Sequence, residues 1–189
     1  MVLKRQGENR ETVRYKPGRL VRAPFGPVLL SEGEVVDAAH VSAGKLAVIY
    51  LSGKGGGFAV NKRFVPVVES GSFGKLGGWR VSRAYGPLPV LEVEGGGTWQ
   101  GYSCTVATLL ELGPDKPREL VSVPIAYDDS GAVPDGKRAT TISGRIVHPV
   151  PGKSFEVVYS GSKRFTERYV RRGNAYVLAG GGETRMQTC

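Results

Sequence analysis

Two stretches of this chain read alike. Lys16-Pro17-x-x-Leu20-Val21-x-x-Pro24 returns as Lys116-Pro117-x-x-Leu120-Val121-x-x-Pro124, one hundred residues on. Gly44-Lys45-x-Ala47 returns as Gly136-Lys137-x-Ala139, and Ser52-Gly53-Lys54 as Ser143-Gly144-Arg145. Val67-Val68-x-Ser70-Gly71-Ser72 matches Val157-Val158-x-Ser160-Gly161-Ser162, and Ala84-Tyr85 matches Ala175-Tyr176. Gly95-Gly96-Gly97 stands seven residues before Cys104, and Gly180-Gly181-Gly182 seven before Cys189. The order is kept while the offset shrinks, as small loop deletions would produce. Such self-similarity marks an internal duplication. It predicts two modules, 1–104 with a basic arm at about 1–15, and 105–189 with a flexible tail at about 180–189. Two units are too few for an open solenoid, which needs at least three. They suit two pseudo-equivalent halves.

The local pattern is that of strands. Lys45–Leu51 is apolar, β-branched and aromatic, and stops at Ser52-Gly53. Phe58–Val68 follows, with Pro66 marking an edge or a bulge. Trp79–Tyr85 and Leu88–Val93 alternate, and Ala139–Val147, Phe155–Tyr159, Phe165–Val170 and Ala175–Leu178 read alike in the second half. Turn residues recur every 8–12 positions, which suits a sandwich or barrel. Thr105–Leu112 has the length of a short helix, but its Thr and Val favour strand. The expected fold class is all-β.

Longer-range features exclude several classes. The longest apolar run, Leu46–Leu51, has six residues, against ~20 for a membrane span. No apolar stretch follows Lys4 and Arg5, so no signal peptide is visible. The first module lacks a counterpart of Val106–Leu112, which raises the expectation that Met1 is not the natural start. His40, His148, Cys104 and Cys189 are the complete set of His and Cys, at spacings that match no zinc site. Gly44-Lys45, Gly74-Lys75 and Gly152-Lys153-Ser154 lack the earlier glycine of a phosphate loop; Val147 stands in its place. Asp37 and His40 lie three apart, and Asp128, Asp129 and Asp135 surround Ser130-Gly131 without the alternation of a calcium loop. That cluster reads as turn chemistry. No metal and no cofactor is expected.

The net charge of +9 lies at the ends, in residues 1–22 and 150–189, on a neutral middle. Basic ends suggest attraction to a polyanion. Lys163, Arg164, Arg168, Tyr169, Arg171 and Arg172 interleave cations with rings, and the repeat maps this stretch near Trp79, Arg80, Arg83 and Tyr85. Arg pairs with phosphate or sulfate and rings stack on bases or sugars. These ten residues are the candidate binding set. The competing reading turns the rings to the core and the Arg residues to water.

No acid-base or nucleophile constellation stands out. The first reading is therefore a non-catalytic binding protein for an unknown protein or polyanionic ligand, periplasmic or secreted. The second is nucleic-acid or other polyanion binding through the basic-aromatic strands. A third makes Cys104 the nucleophile of a thiol hydrolase with His148 as base. The repeat argues against it, since it pairs Cys104 with Cys189 at the chain's last residue. Equivalent positions near a pseudo-twofold axis would instead let the two form a disulfide.

Overall fold

The computed structural model describes residues 2–4, as backbone only, and 11–189. Among them every regular element is a strand, so the chain is all-β. No helix is long and apolar enough to cross a membrane. The chain divides into two compact units: residues 1–78 with 112–117, and residues 79–111 with 118–189.

The first unit contains β1 (Val2–Lys4), β2 (Thr12–Tyr15), β3 (Arg19–Ala23), β4 (Gly26–Val35), β5 (Gly44–Lys54) and β6 (Gly57–Ser70). They form one sheet in the order β1-β2-β4-β5-β6, with β3 paired to β4 beside β2's partner segment. Paired residues share a face. The ladder aligns Val28 with Tyr50, Leu30 with Val48, and Val48 with Phe64. Val28, Leu30, Leu46 and Val48 are fully buried, each worth roughly 1.5–3 kcal/mol of transfer free energy. Phe25 and Phe64 close on the Tyr50 ring at 5.0 and 5.2 Å. Tyr50 donates its hydroxyl to the Gly113 carbonyl at 2.5 Å, and burial, with the Asp115 charge, pushes its pKa up to about 12. Among the described residues Lys45 is the one buried cation of this sheet. Burial alone would lower its pKa, but the carboxylates of Glu69 (2.6 Å) and Glu11 (3.1 Å) outweigh that and hold it raised.

The second unit contains β7 (Trp79–Ser82), β8 (Val90–Trp99), β9 (Tyr102–Leu112), β10 (Pro117–Asp128), β11 (Thr141–Val150), β12 (Ser154–Gly161), β13 (Phe165–Arg172) and β14 (Ala175–Leu178). These pair in strict sequence order as an eight-stranded antiparallel sheet. The sheet curls, because Tyr85, just after β7, meets Phe155 of β12 and Tyr176 of β14 edge-on. The Gly152 amide also donates to the Tyr85 carbonyl at 2.7 Å. Phe155, Val157 and Tyr159 alternate inward from β12, and Glu167, Tyr169 and Tyr176 come from β13 and β14.

Thr105–Leu112 is strand, as its β-branched content implied. The division expected after Cys104 falls inside β9, and the unit boundaries lie elsewhere. Matched segments also differ in setting: Gly44-Lys45-x-Ala47 opens β5, while Gly136-Lys137-x-Ala139 lies in the loop before β11.

Cys104 and Cys189 are bonded, with Cα atoms 5.9 Å apart. Neither sulfur is then a thiolate, and His148 faces Glu156 at 3.3 Å rather than Cys104. The thiol-hydrolase reading is thereby corrected. The C-terminal segment carries further ties. Buried Glu167 accepts from the Arg185 amide (2.6 Å), the Thr184 hydroxyl (2.8 Å) and the Tyr169 hydroxyl (3.4 Å). Met186 is buried in the core of this unit.

Candidate polyanion-binding face

Residues 16–31 and 46–64 hold Lys16, Arg19, Arg22, Lys54, Lys62 and Arg63, and not one carboxylate. These segments are adjacent strands of the first unit. Leu20 pairs with Leu29, Leu29 with Ile49, and Ile49 with Arg63, which makes one row across β3, β4, β5 and β6. Arg22 pairs with Pro27 in the next row. The register then shifts: Tyr50 opposes Lys62 but Leu51 opposes Val60, so Asn61 is a bulge. A regular strand would put Val60 and Arg63 on opposite faces. The bulge brings both onto the face of Leu20, Leu29 and Ile49. Phe58, paired with Gly53, extends the same face toward the hairpin tip.

This face is open at β3 and toward the hairpin tip, although Leu51, paired with Val60, is buried. Leu20 is 45% exposed, Phe58 60% and Val60 46%. The tip between β5 and β6 turns through Gly55 (φ 55°) and Gly56 (φ 81°), the pair of left-handed positions that a tight two-residue hairpin demands. Lys54 flanks that turn, paired with Gly57 and so on the opposite face from Phe58. Two cations have acidic neighbours, Lys16 with Glu32 at 3.7 Å and Lys62 with Asp115 at 3.8 Å. Among the described residues Arg19, Lys54 and Arg63 make no ion pair, and of the three only Arg63 is on this face: Arg19 pairs with Leu30 and Lys54 with Gly57, on the other. Chemically, the face offers apolar and aromatic contact beside the guanidinium groups of Arg22 and Arg63. It would accept a flexible anionic chain or an anionic surface.

The ten residues singled out from the sequence all belong to the second unit. Tyr85 and Tyr169 are buried, and Tyr169 stacks on Phe155 at 5.0 Å with an interplanar angle of 4°. Trp79 is half-buried. Arg80 is pinned to buried Glu92 at 2.5 Å, a hydrogen-bonded pair that raises the guanidinium pKa. Arg171 lies over the Tyr176 ring at 5.2 Å and faces Glu111 at 3.8 Å. Arg83, Lys163, Arg164, Arg168 and Arg172 are exposed. On β13 the alternation turns Tyr169 inward and Arg168 outward, opposite Glu156. No ring of this set joins an exposed Arg in one open surface: Tyr85 and Tyr169 are inside, and Trp79 is only half out.

The sequence reading passed over Lys54, Phe58, Val60 and Arg63. The signal that would have found them is the missing carboxylate, which whole-segment charge sums conceal because Glu32, Glu34 and Glu69 balance the same strands at their other ends. A second open ring sits in the second unit. Trp99, 51% exposed, folds back over Gly97 on its own strand, where a Cβ would come within 2.6 Å of the indole.

No protein-family model matches this chain, and no curated protein or solved structure is similar to it.

Proposed function

We propose that this is a non-catalytic binding protein whose ligand is a polyanion, engaged by the β3–β6 face of the first unit. The single observation behind this reading is that exposed Leu20, Phe58 and Val60 share a face with Arg22 and Arg63 in a stretch of sheet that holds no carboxylate. Scattered apolar residues on a surface need no explanation, but a contiguous set edged by one sign of charge does. Phosphates or sulfates would pair with Arg22 and Arg63, the two cations of this face. Phe58 and Val60 would cover the less polar parts of the same polymer. An oxidising compartment suits the Cys104–Cys189 bridge and agrees with the periplasmic or secreted expectation.

The test is the salt dependence of binding to heparin and to a single-stranded oligonucleotide. Each cation that neutralises a phosphate contributes about −0.7 to the slope of log K against log salt on a single strand. The double variant R22Q/R63Q is expected to make the slope shallower by about 1.4. Phe58→Ala should weaken binding with the slope unchanged. Salt-independent binding, or a double variant with the native slope, overturns the proposal.

A further inference from the structure

The second unit contains a separate concavity at the outer end of β13 and β14. It has a volume of about 520 Å³ and is lined by Val170, Arg172, Val177, Leu178 and Gly180–Gly182. That size suits a small organic ligand. Three features of the lining are chemical rather than merely geometric. First, no acidic side chain lines it, and Glu183, next in the chain, is not part of the wall. Second, Arg172 is exposed and meets no acceptor among the described residues. Its neighbour Arg171, by contrast, is committed to Tyr176, Glu111 and the Gly173 carbonyl. Third, Gly180, Gly181 and Gly182 all have positive φ, at 88°, 75° and 83°. The Gly181 amide donates to the Leu178 carbonyl at 3.1 Å, while the amides of Gly180 and Gly182 have no partner among the described residues. Unpartnered backbone N–H groups in a turn can receive an anion. Side chains are excluded from such a loop, since any L-residue there would be strained.

Val170, Val177 and Leu178 supply the rest of the wall. Val170 and Val177 are paired across β13 and β14 and stand on one face. The site thus has a cationic, amide-rich end and an apolar side.

We infer that this concavity binds the oxyanion of a phosphate or sulfate monoester whose organic body is apolar. Arg172 takes two oxygens in its planar fork, the amides of Gly180 and Gly182 take the remaining ones, and the body lies on Val170 and Val177, which share its face. A free inorganic anion would leave that apolar wall unused.

The experiment titrates oxidised, full-length protein with phenyl phosphate, phenyl sulfate and inorganic phosphate, read by calorimetry and by amide NMR shifts. At least one monoester should bind tenfold or more tightly than inorganic phosphate, and the better of the two names the anion. The Gly180 and Gly182 amides should shift while Gly152, in the β11–β12 turn, stays still. Arg172→Gln should weaken the ester tenfold or more, and Arg172→Lys should recover only part of that, because an ammonium has no fork. Gly182→Ala should weaken it too, because alanine is strained at φ 83°. Equal affinity for inorganic phosphate and the esters, native affinity in Arg172→Gln, or no binding at millimolar concentration each overturns the assignment. Arg63→Gln, on β6, should leave ester binding unchanged, so this test and that of the polyanion face fail separately.

Discussion

Replacing both cysteines, as C104S/C189S, removes a bridge that spans 85 residues of sequence. The chain-entropy relation puts its contribution at about 4.5 kcal/mol at 25 °C. That value is an upper figure, because the C-terminal segment keeps other ties. Glu167 still holds Thr184 and Arg185, and Met186 still fills the core. Those contacts are local to the native state, whereas the bridge acts mainly by restricting the unfolded ensemble. The two contributions are therefore separable. Guanidinium unfolding of the oxidised protein and the double variant should differ by 3–4.5 kcal/mol, or roughly 6–18 °C in Tm for a chain of this size. The m-value should rise in the variant, since an unbridged chain exposes more surface on unfolding. Mass spectrometry of unreduced protein should count no free thiol. A stability loss below about 1 kcal/mol would refute the loop-closure reasoning, and two free thiols in oxidised, purified protein would refute the bridge itself.

Glu167→Ala is expected to cost about 3 kcal/mol, since it strips charge-assisted partners from buried donors, and to speed hydrogen exchange at the Arg185 amide. Alkaline titration followed at 295 nm should show late ionisation of buried tyrosines. Tyr50 and Tyr169 are each pushed up to about 12, chiefly by burial. Their folded pKa lies above the unfolded value near 10, so the stability they give is whole below pH 10 and lost as pH rises toward 12. Ionisation of these rings at pH 10 with near-UV dichroism intact would contradict their burial. Gly97→Ala should push the Trp99 indole off its strand, raising acrylamide quenching in a Trp79→Phe background with little change in stability. Unchanged quenching would mean that the ring does not rest there.

Strand identity was legible because period-two alternation and turn residues are local properties of a strand. Phe155, Val157 and Tyr159 against Glu156 and Val158 need no partner to be read. The cysteine pairing was legible for another reason, since only two cysteines exist and the repeat placed them in matching contexts. The proposed polyanion face was not legible, because it depends on register. Arg63 joins Val60 and Leu20 only through the Asn61 bulge and a four-strand row, and neither is written in any one segment. The candidate binding set failed as a single surface by the same logic in reverse. Cations and rings adjacent in sequence, such as Arg168 and Tyr169, necessarily face opposite ways on a strand. Adjacency therefore argued against the shared surface it suggested.

The two triple glycines make the point about motif and conformation most directly. In sequence they are interchangeable, each seven residues before a cysteine. Gly95–Gly97 lie within β8, paired with Val106, Thr105 and Cys104 of β9. There the missing side chains serve close approach: a Cβ on Gly96 would run into the Cys104 carbonyl, and one on Gly97 into the Trp99 ring. Gly180–Gly182 lie past the end of β14, and there a Cβ would meet nothing within 4 Å. What excludes a side chain at these three positions is positive φ, not space. Alanine is thus tolerable sterically but not conformationally at 180–182, and the reverse holds at 96 and 97. The same letters answer a packing demand in one place and a backbone demand in the other. Only the second leaves amides free for a ligand, which is why the functional inference attaches to one triple glycine and not to its twin.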